Sequence, residues 1–312
     1  MDTATVERFE ANRDRLASLA YRLLGSAADA EDAVQDAFLR WQAADQAYIE
    51  VPEAWLTKVV TNLSLDRLRS AQMRRERAAC DWLPEPLLDG DPMLGPADTV
   101  EQRESVTLAV LILMERLSPI ERAVYVLREA FSYSHAEIAE ILDITESASQ
   151  QHVHRARRHI TAGRNAHTVN DASARRIVEA FINAASSGQT ERLVALLTDD
   201  ATGTTDGAGL AKKLTRYSVP ERIAAMLRAG FKPTPAKRRL AGGSPALHAA
   251  VVNGSPAVVA VVGDQVLGVV ILEVRDDDKI ATVHGMASPA RLGRLTAEWR
   301  RHEHDDPIIA SW

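Results

Sequence analysis

The sequence predicts a multidomain protein, all-α through its first half and α+β through its second. Three observations carry this. Apolar residues recur at helical spacing through residues 1–80 and again from Val100 to Ile160. Between these stretches, residues 81–98 (DWLPEPLLDGDPMLGPAD) hold four prolines and two glycines, the composition of a connector. After Gly242 the runs ALHAAVV, AVVAVVG, VLGVVILEV and KIATVHGMA read as strands, separated by the turn signals NGSP, GD and RDDDK. The expected segments are a helical domain at 5–80, the acidic connector at 81–99, a second helical domain at 100–163, an α+β domain at 170–298 and a tail at 299–312.

Bulk composition narrows the classes. The 312 residues suit two or three domains at ~100–200 residues each. No run approaches the ~18 apolar residues of a membrane helix, and the polar start MDTATVERFEANRDR does not read as a signal peptide. A single cysteine, Cys80, excludes an internal disulfide framework and fits a reducing cytoplasm. Net charge is −6, yet the charge is segregated. Residues 66–77 carry five arginines and two acids, residues 152–159 three arginines, three histidines and no acid, and residues 81–101 six acids and no base. Basic patches on either side of an acidic connector fit a protein that touches phosphates at chosen places.

In the first domain, DAEDAVQDAFLRW (29–41) puts Ala30, Val34, Ala37, Phe38 and Trp41 on one helical stripe. Asp32, Gln35, Asp36 and Arg40 remain outside; taken alone they are a solvated face. The next helix starts at Pro52 and spaces Trp55, Val59, Asn62, Leu63 and Asp66 along successive turns before turning arginine-rich. A polar Asn in mid-helix ahead of a basic end suits a surface that reads bases and holds phosphates.

In the second domain, Ser118-Pro119 is a helix start, and Ser134 with Glu137 forms a capping box. Leu117, Ile120, Ala123, Val124 and Leu127 form a core stripe, and Ile138, Ala139, Ile141 and Leu142 suit a tight helix crossing. The turn Asp143-Ile144-Thr145 puts Asp where Gly is usual, because such a turn needs a left-handed residue, which Asp tolerates better than most. The following helix, 146–160, turns Gln150, Gln151, His154, Arg155 and Arg158 outward, with Ala148, Val153, Ala156 and Ile160 toward the core. Gln and Arg pair bidentately with base edges in the major groove, so the segment reads as a helix-turn-helix with a recognition helix. His152, His154 and His159 lack a nearby Cys or acidic ligand, so no metal and no cofactor is expected.

These motifs resemble extracytoplasmic-function sigma factors. Residues 9–80, through AEDAVQDAFLRW and PEAWLTKVVTNLSLDRLR, resemble region 2 of that family, and residues 115–160, through HVHRARRHI, resemble region 4. The resemblance implies a transcription-initiation subunit of RNA polymerase. Asp32, Gln35, Asp36 and Arg40 would dock on the clamp coiled coil of the largest subunit, and region 4 on the flap. Asn62 and its neighbours, Trp55 among them, would capture a flipped −10 base, Lys58, Arg67 and Arg69 would hold phosphates, and Gln150, Gln151, His154, Arg155 and Arg158 would read the −35 element. The connector must then span roughly 20 bases at ~3.4 Å each. Asp143, and ESASQQ in place of a more Val/Lys-rich start, depart from the family pattern and change the expected promoter rather than the fold.

Most such factors end soon after region 4. Residues 172–295 resemble a SnoaL-like domain, a cone of curved sheet wrapped by helices, of the nuclear transport factor two type. Helices are expected at 172–186, at 189–198 and from Pro220, followed by an antiparallel sheet. Thr205-Asp206-Gly207-Ala208-Gly209 resembles the Asp-Gly-Gly-Gly-Lys motif of the fused subgroup, with Leu210 in the place of its Lys and Lys212 or Lys213 as substitutes. Ser288-Pro289-Ala290-Arg291-Leu292 resembles its Asn-Pro-Asp-Lys-Leu motif, and the linker's Trp82-Leu83-Pro84-Glu85-Pro86 a short motif of the same subgroup. Trp82, Pro84, Asp206, Lys212 and Arg291 are therefore candidate regulatory residues. The resemblance implies control in cis, by a domain whose tether gives it a high effective concentration on its own sigma core, with room for a small ligand in the cone. Enzymes of this fold need acid/base groups in the cone; His248, His284 and Asp206 are the candidates, with core or rim roles preferred for the histidines. Two other classes stay in view: a repressor with one helix-turn-helix, which leaves the acidic helix and −10-like segment unexplained, and an isomerase or hydrolase with a DNA-binding appendage. The tail EWRRHEHDDPIIASW reads equally as a docking peptide or a disordered end.

Overall fold

A computed structural model describes residues 3–78, 83–95, 99–161, 171–207, 214–275 and 278–312. It divides into two compact units, Met1–Glu85 with Gly90–Arg164, and Pro86–Asp89 with Asn165–Trp312. Cys80, Trp82, Lys212 and Lys213 lie outside the described residues.

The first unit is helical. Its first helical part comprises α1 (Thr3–Glu10), α2 (Arg13–Leu24), α3 (Ala27–Ala43) and α4 (Pro52–Ala78). Gly25 ends α2 in the left-handed conformation (φ 65°), returning its N–H to the Tyr21 carbonyl, and Ser26 then caps α3 through the Asp29 N–H. The α3 stripe is buried at Ala30, Val34, Ala37 and Trp41. Trp41 is fully buried, donates its indole N–H to the Thr5 carbonyl at 2.9 Å and meets Trp55 at 5.6 Å between rings. Truncating such a residue costs about 3–5 kcal/mol.

After the connector come α5 (Val100–Glu104), α6 (Leu108–Met114), α7 (Pro119–Glu129), α8 (His135–Leu142) and α9 (Glu146–Thr161). Both expected capping boxes form, Ser118 with Glu121 and Ser134 with Glu137. The two helical parts belong to one unit because α4 packs on α7 and α8, and α2 on α7. Arg22 is buried between them, donating to Ser105 at 3.0 Å and to Ser18, and lying 5.4 Å from the Phe131 ring centre; burial pushes its pKa down to about 10.

The second unit is α+β. It contains α10 (Asp171–Ser186), α11 (Thr190–Val194), β1 (Leu197–Thr205), β2 (Thr215–Tyr217), α12 (Pro220–Phe231), α13 (Pro235–Leu240), β3 (Ala246–Val252), β4 (Ser255–Val262), β5 (Gln265–Val274), β6 (Ile280–Met286) and α14 (Pro289–Trp299). Among the described residues the sheet has six strands in the order β2-β1-β6-β5-β4-β3. The four expected strands are present, and the order of helices and strands is the one the SnoaL-like resemblance implies. The sheet, expected to be antiparallel, is mixed: β1 runs parallel to β6. Residues 197–198, expected to end a helix, begin that strand, because Leu197, Ala201 and Gly203 turn inward onto the sheet core. The β3–β4 hairpin turns on Asn253-Gly254, both at positive φ, as the Asn-Gly signal requires.

Edge strand β3 does not end in solvent. Asp89 donates to the Val251 carbonyl at 2.9 Å, and Leu87 and Asn253 exchange two hydrogen bonds of 2.9 Å. At the other end of β3, Leu247 pairs with Ile309. Covering an edge in this way blocks strand addition. Pro86–Asp89 is thus an ordered part of this unit rather than flexible connector, and the tail, expected as a docking peptide or a disordered end, packs on its own domain.

Candidate nucleic-acid interface

The helix-turn-helix is built from local chemistry. Asp143 takes the left-handed conformation (φ 54°, ψ 46°) and returns its N–H to the Ala139 carbonyl, so α8 stops where the sequence predicts. Thr145 then accepts from the Ala148 N–H at 3.1 Å, opening α9. On α9, Val153, Ala156 and Ile160 are buried, and Ser149 is bound to His135 at 2.9 Å. Gln150, Gln151, His154, Arg155 and Arg158 are all exposed, one continuous polar face. Arg155 is already engaged: its Nε donates to Glu121 at 2.9 Å and its guanidinium reaches His152 at 2.8 Å. Against the upward push of desolvation, hydrogen bonds from Ser118 and Arg155 hold the Glu121 carboxyl below its usual range. Burial, then the Arg155 charge, lowers the His152 pKa. Among the described residues no three His, Cys, Asp or Glu side chains gather to hold a metal.

The −10 candidates occupy different surroundings along α4. Asn62 is half-buried and its side-chain amide makes no hydrogen bond among the described residues, between the buried hydroxyls of Thr61 and Ser64 in the chain. Trp55 is half-buried against Trp41. Lys58 reaches out of region 2, donating to the Glu140 carbonyl at 2.9 Å and pairing with Asp143 at 2.8 Å. Nearby, the Thr57 hydroxyl lies 3.1 Å from the Tyr133 hydroxyl, and Arg15 also donates to Tyr133. Sequence reading missed Arg15 and Tyr133, which carry no motif.

Asp32, Gln35 and Arg40 are exposed on α3, with Asp36 half-buried beside them. Arg67, expected on phosphate, instead pairs with Asp36 at 2.6 Å and lies 3.8 Å from Asp32. Arg69 pairs with Asp66 at 3.2 Å one turn away. The structure therefore groups Arg67 with the acidic face, and a phosphate would have to displace Asp36 to reach it.

In the second unit the structure joins two motifs that sequence reading held apart. Buried Asp206 accepts from the Ala287 and Ser288 N–H groups, each at 3.0 Å, while the Ser288 side chain makes no cap bond. Asp206 thus caps α14 from 82 residues away, and Arg291 lies half-buried in the first turn of the same helix. Pro84 is buried. The three acid/base candidates do not converge. His248 donates from Nδ1 to the Asp305 carbonyl at 3.1 Å, with burial the first cause of its lowered pKa; His284 pairs with Glu273 at 3.2 Å; Asp206 is the helix cap. Strand alternation turns His248 and His284 away from the face that bears Leu247 and Val283.

Models of Sigma-70 region 2 and Sigma-70 region 4 match residues 8–74 and 107–160. The ECF RNA polymerase sigma factor SigJ of Mycobacterium tuberculosis is 41% identical over 212 residues, 68% of each chain. The probable ECF RNA polymerase sigma factor SigI of the same organism is 35% identical over 296 residues, 93% of this chain and 95% of its own. The crystal structure of the M. tuberculosis extracytoplasmic function sigma factor SigJ aligns at a TM-score of 0.67 with 31% identity, covering 93% of this chain and 98% of that one. The chain belongs to the extracytoplasmic-function (ECF) RNA polymerase sigma factors.

Proposed function

We propose that this sigma factor docks its α3 face (Asp32, Gln35, Asp36, Arg40) on the clamp coiled coil of the polymerase largest subunit and its region 4 on the flap. In this reading α9 reads the −35 element, and Asn62 captures a base flipped out of the −10 element. The unpartnered Asn62 amide carries the proposal: a base edge offers the donor and acceptor that a satisfied side chain could not use. The C-terminal unit acts as a regulator in cis, through the linker residues Trp82 and Pro84 and the Asp206, Lys212 and Arg291 motifs, with a small ligand in its cone. It is not a catalyst: fold alone does not confer chemistry, and its candidate acid/base groups are dispersed. The protein works in the cytoplasm; no helix among the described residues is long and apolar enough to cross a membrane.

Run-off transcription with core polymerase tests this, on a promoter selected with this protein, comparing the full chain with a truncation ending at Gly163. Specific initiation is expected, and the ratio between the two proteins gives the sign of the C-terminal control. Tight DNA binding without initiation by either would replace the reading with a repressor.

A further inference from the structure

The C-terminal unit encloses a partly open cavity of about 240 Å³ between the sheet and α12. Met226, Leu247, Val258, Ala260 and Val270 line it, and Trp312 completes the lining from the tail. Among the described residues, no side chain lining the cavity carries a charge. Its two polar side chains are already engaged: the Thr205 hydroxyl accepts from the Gly207 N–H at 3.3 Å, and the Trp312 indole donates to the Phe231 carbonyl at 2.8 Å. A carboxylate or ammonium entering here would lose its water and gain no partner. An apolar molecule would restore the packing contacts that the walls lack.

Trp312 is held in place. Its N–H donates to the Pro245 carbonyl at 2.9 Å, its main-chain oxygen accepts from Arg238 at 3.2 Å, and Lys237 lies 5.5 Å from its ring centre. Just before it, Ile308 and Ile309 bond to Leu247, itself a wall residue. The tail is therefore fastened to the same strand that forms the cavity.

We propose that this cavity is the binding site of an uncharged, largely hydrocarbon small molecule of one or two rings, seated against Trp312. An apolar cavity of roughly 150 Å³ accepts benzene, and the larger volume here suits a ligand of about ten carbons. As the input to control in cis, this ligand rests on the regulatory reading above; as a binding site, it does not.

The test uses the full chain with naphthalene as the uncharged probe and 2-naphthoate as its charged counterpart, followed by ligand-observed saturation-transfer NMR and by Tm. Naphthalene should receive saturation and raise Tm, while 2-naphthoate binds at least about tenfold more weakly. Ala260→Phe fills the cavity from the sheet and Met226→Trp from the helix. Either substitution, in a protein that still unfolds cooperatively, should abolish naphthalene binding. No transfer to naphthalene in the parent protein, equal binding of the two probes, or undiminished binding by both folded variants would overturn the site. Repeating run-off transcription with naphthalene separates the two claims: binding without a change in initiation keeps the site and overturns only its regulatory role.

Discussion

The Lys58 ammonium lies 2.8 Å from the Asp143 carboxylate, tying the −10 helix to the turn of the helix-turn-helix. A lysine in this pair cannot also hold a phosphate. The pair is exposed enough to contribute little stability, about 0.2–1 kcal/mol. Asp143→Gly removes the carboxylate and places the residue that best accepts φ 54°. Its expected outcome is unchanged or higher Tm with tighter promoter binding, whereas Lys58→Met weakens promoter binding. Fluorescence anisotropy of labelled promoter DNA with holoenzyme reads both; equal weakening by the two variants would sink the competition argument.

Asn62 separates recognition from folding. It is half-buried and unpartnered among the described residues, so Asn62→Ala should shift stability by no more than about 0.5 kcal/mol. Loss of a base-edge pair of about 1–3 kcal/mol should lower open-complex formation about 5- to 150-fold at unchanged core binding. Permanganate footprinting of the melted strand checks this, and a full signal from the variant would remove Asn62 from the pocket.

On α9, Gln150 and Arg158 are expected to divide by role. Arg158 is exposed and has no ion-pair partner among the described residues, so Arg158→Ala should weaken all DNA sequences alike and reduce the salt slope of binding by about 1. Gln150→Ala should instead relax preference at one position of the −35 element. Binding titrations against a randomised element at several salt concentrations distinguish the two patterns.

What the sequence made legible was local. Ser118, Ser134, Thr145 and Asp143 act on residues within four positions, and each helix boundary they imply is observed. Ser288-Pro289 carries the same signal as Ser118-Pro119, yet α14 went unrecognised there because strand-like residues precede it. Strand β1 was hidden because TDDATGTT offers small inward residues instead of an apolar alternation, and its partner β6 lies about 80 residues further along the chain. The pairs Lys58–Asp143, Arg67–Asp36 and Asp206–Ser288 join exposed or capping side chains across 85, 31 and 82 residues. Tertiary packing sets such pairs, and no local spacing encodes them.

Glu85 gives the first unit a pH signature. Its carboxylate accepts from the Ser26 hydroxyl at 2.9 Å and the Ala27 N–H at 3.1 Å, but burial outweighs these bonds and raises its pKa above the ordinary 4.5. A carboxyl raised on folding favours the native state when protonated. Its contribution is complete below the unfolded pKa and is lost as pH rises through the folded value, so ionised Glu85 is a burden near neutrality. Glu85→Gln keeps an acceptor and removes that charge. Denaturant unfolding should show the variant gaining on the parent as pH rises from about 4.5, then holding constant; a pH-independent difference would exclude Glu85 as the cause.

Asp206 contributes through structure before it contributes through any partner. Its two oxygens satisfy the Ala287 and Ser288 N–H groups, and Asp206→Ala leaves both donors unmet beside a helix start that has no other side-chain cap. The expected destabilisation of the C-terminal unit is about 1–3 kcal/mol, with region 2 and region 4 unaffected. Hydrogen exchange should show faster opening confined to β1, β6 and α14. Asp206→Asn keeps one acceptor and should recover part of the loss. If Asp206→Asn restores stability while altered control of initiation persists, the carboxylate also acts on a partner; if both recover together, its regulatory effect runs through the cap on α14.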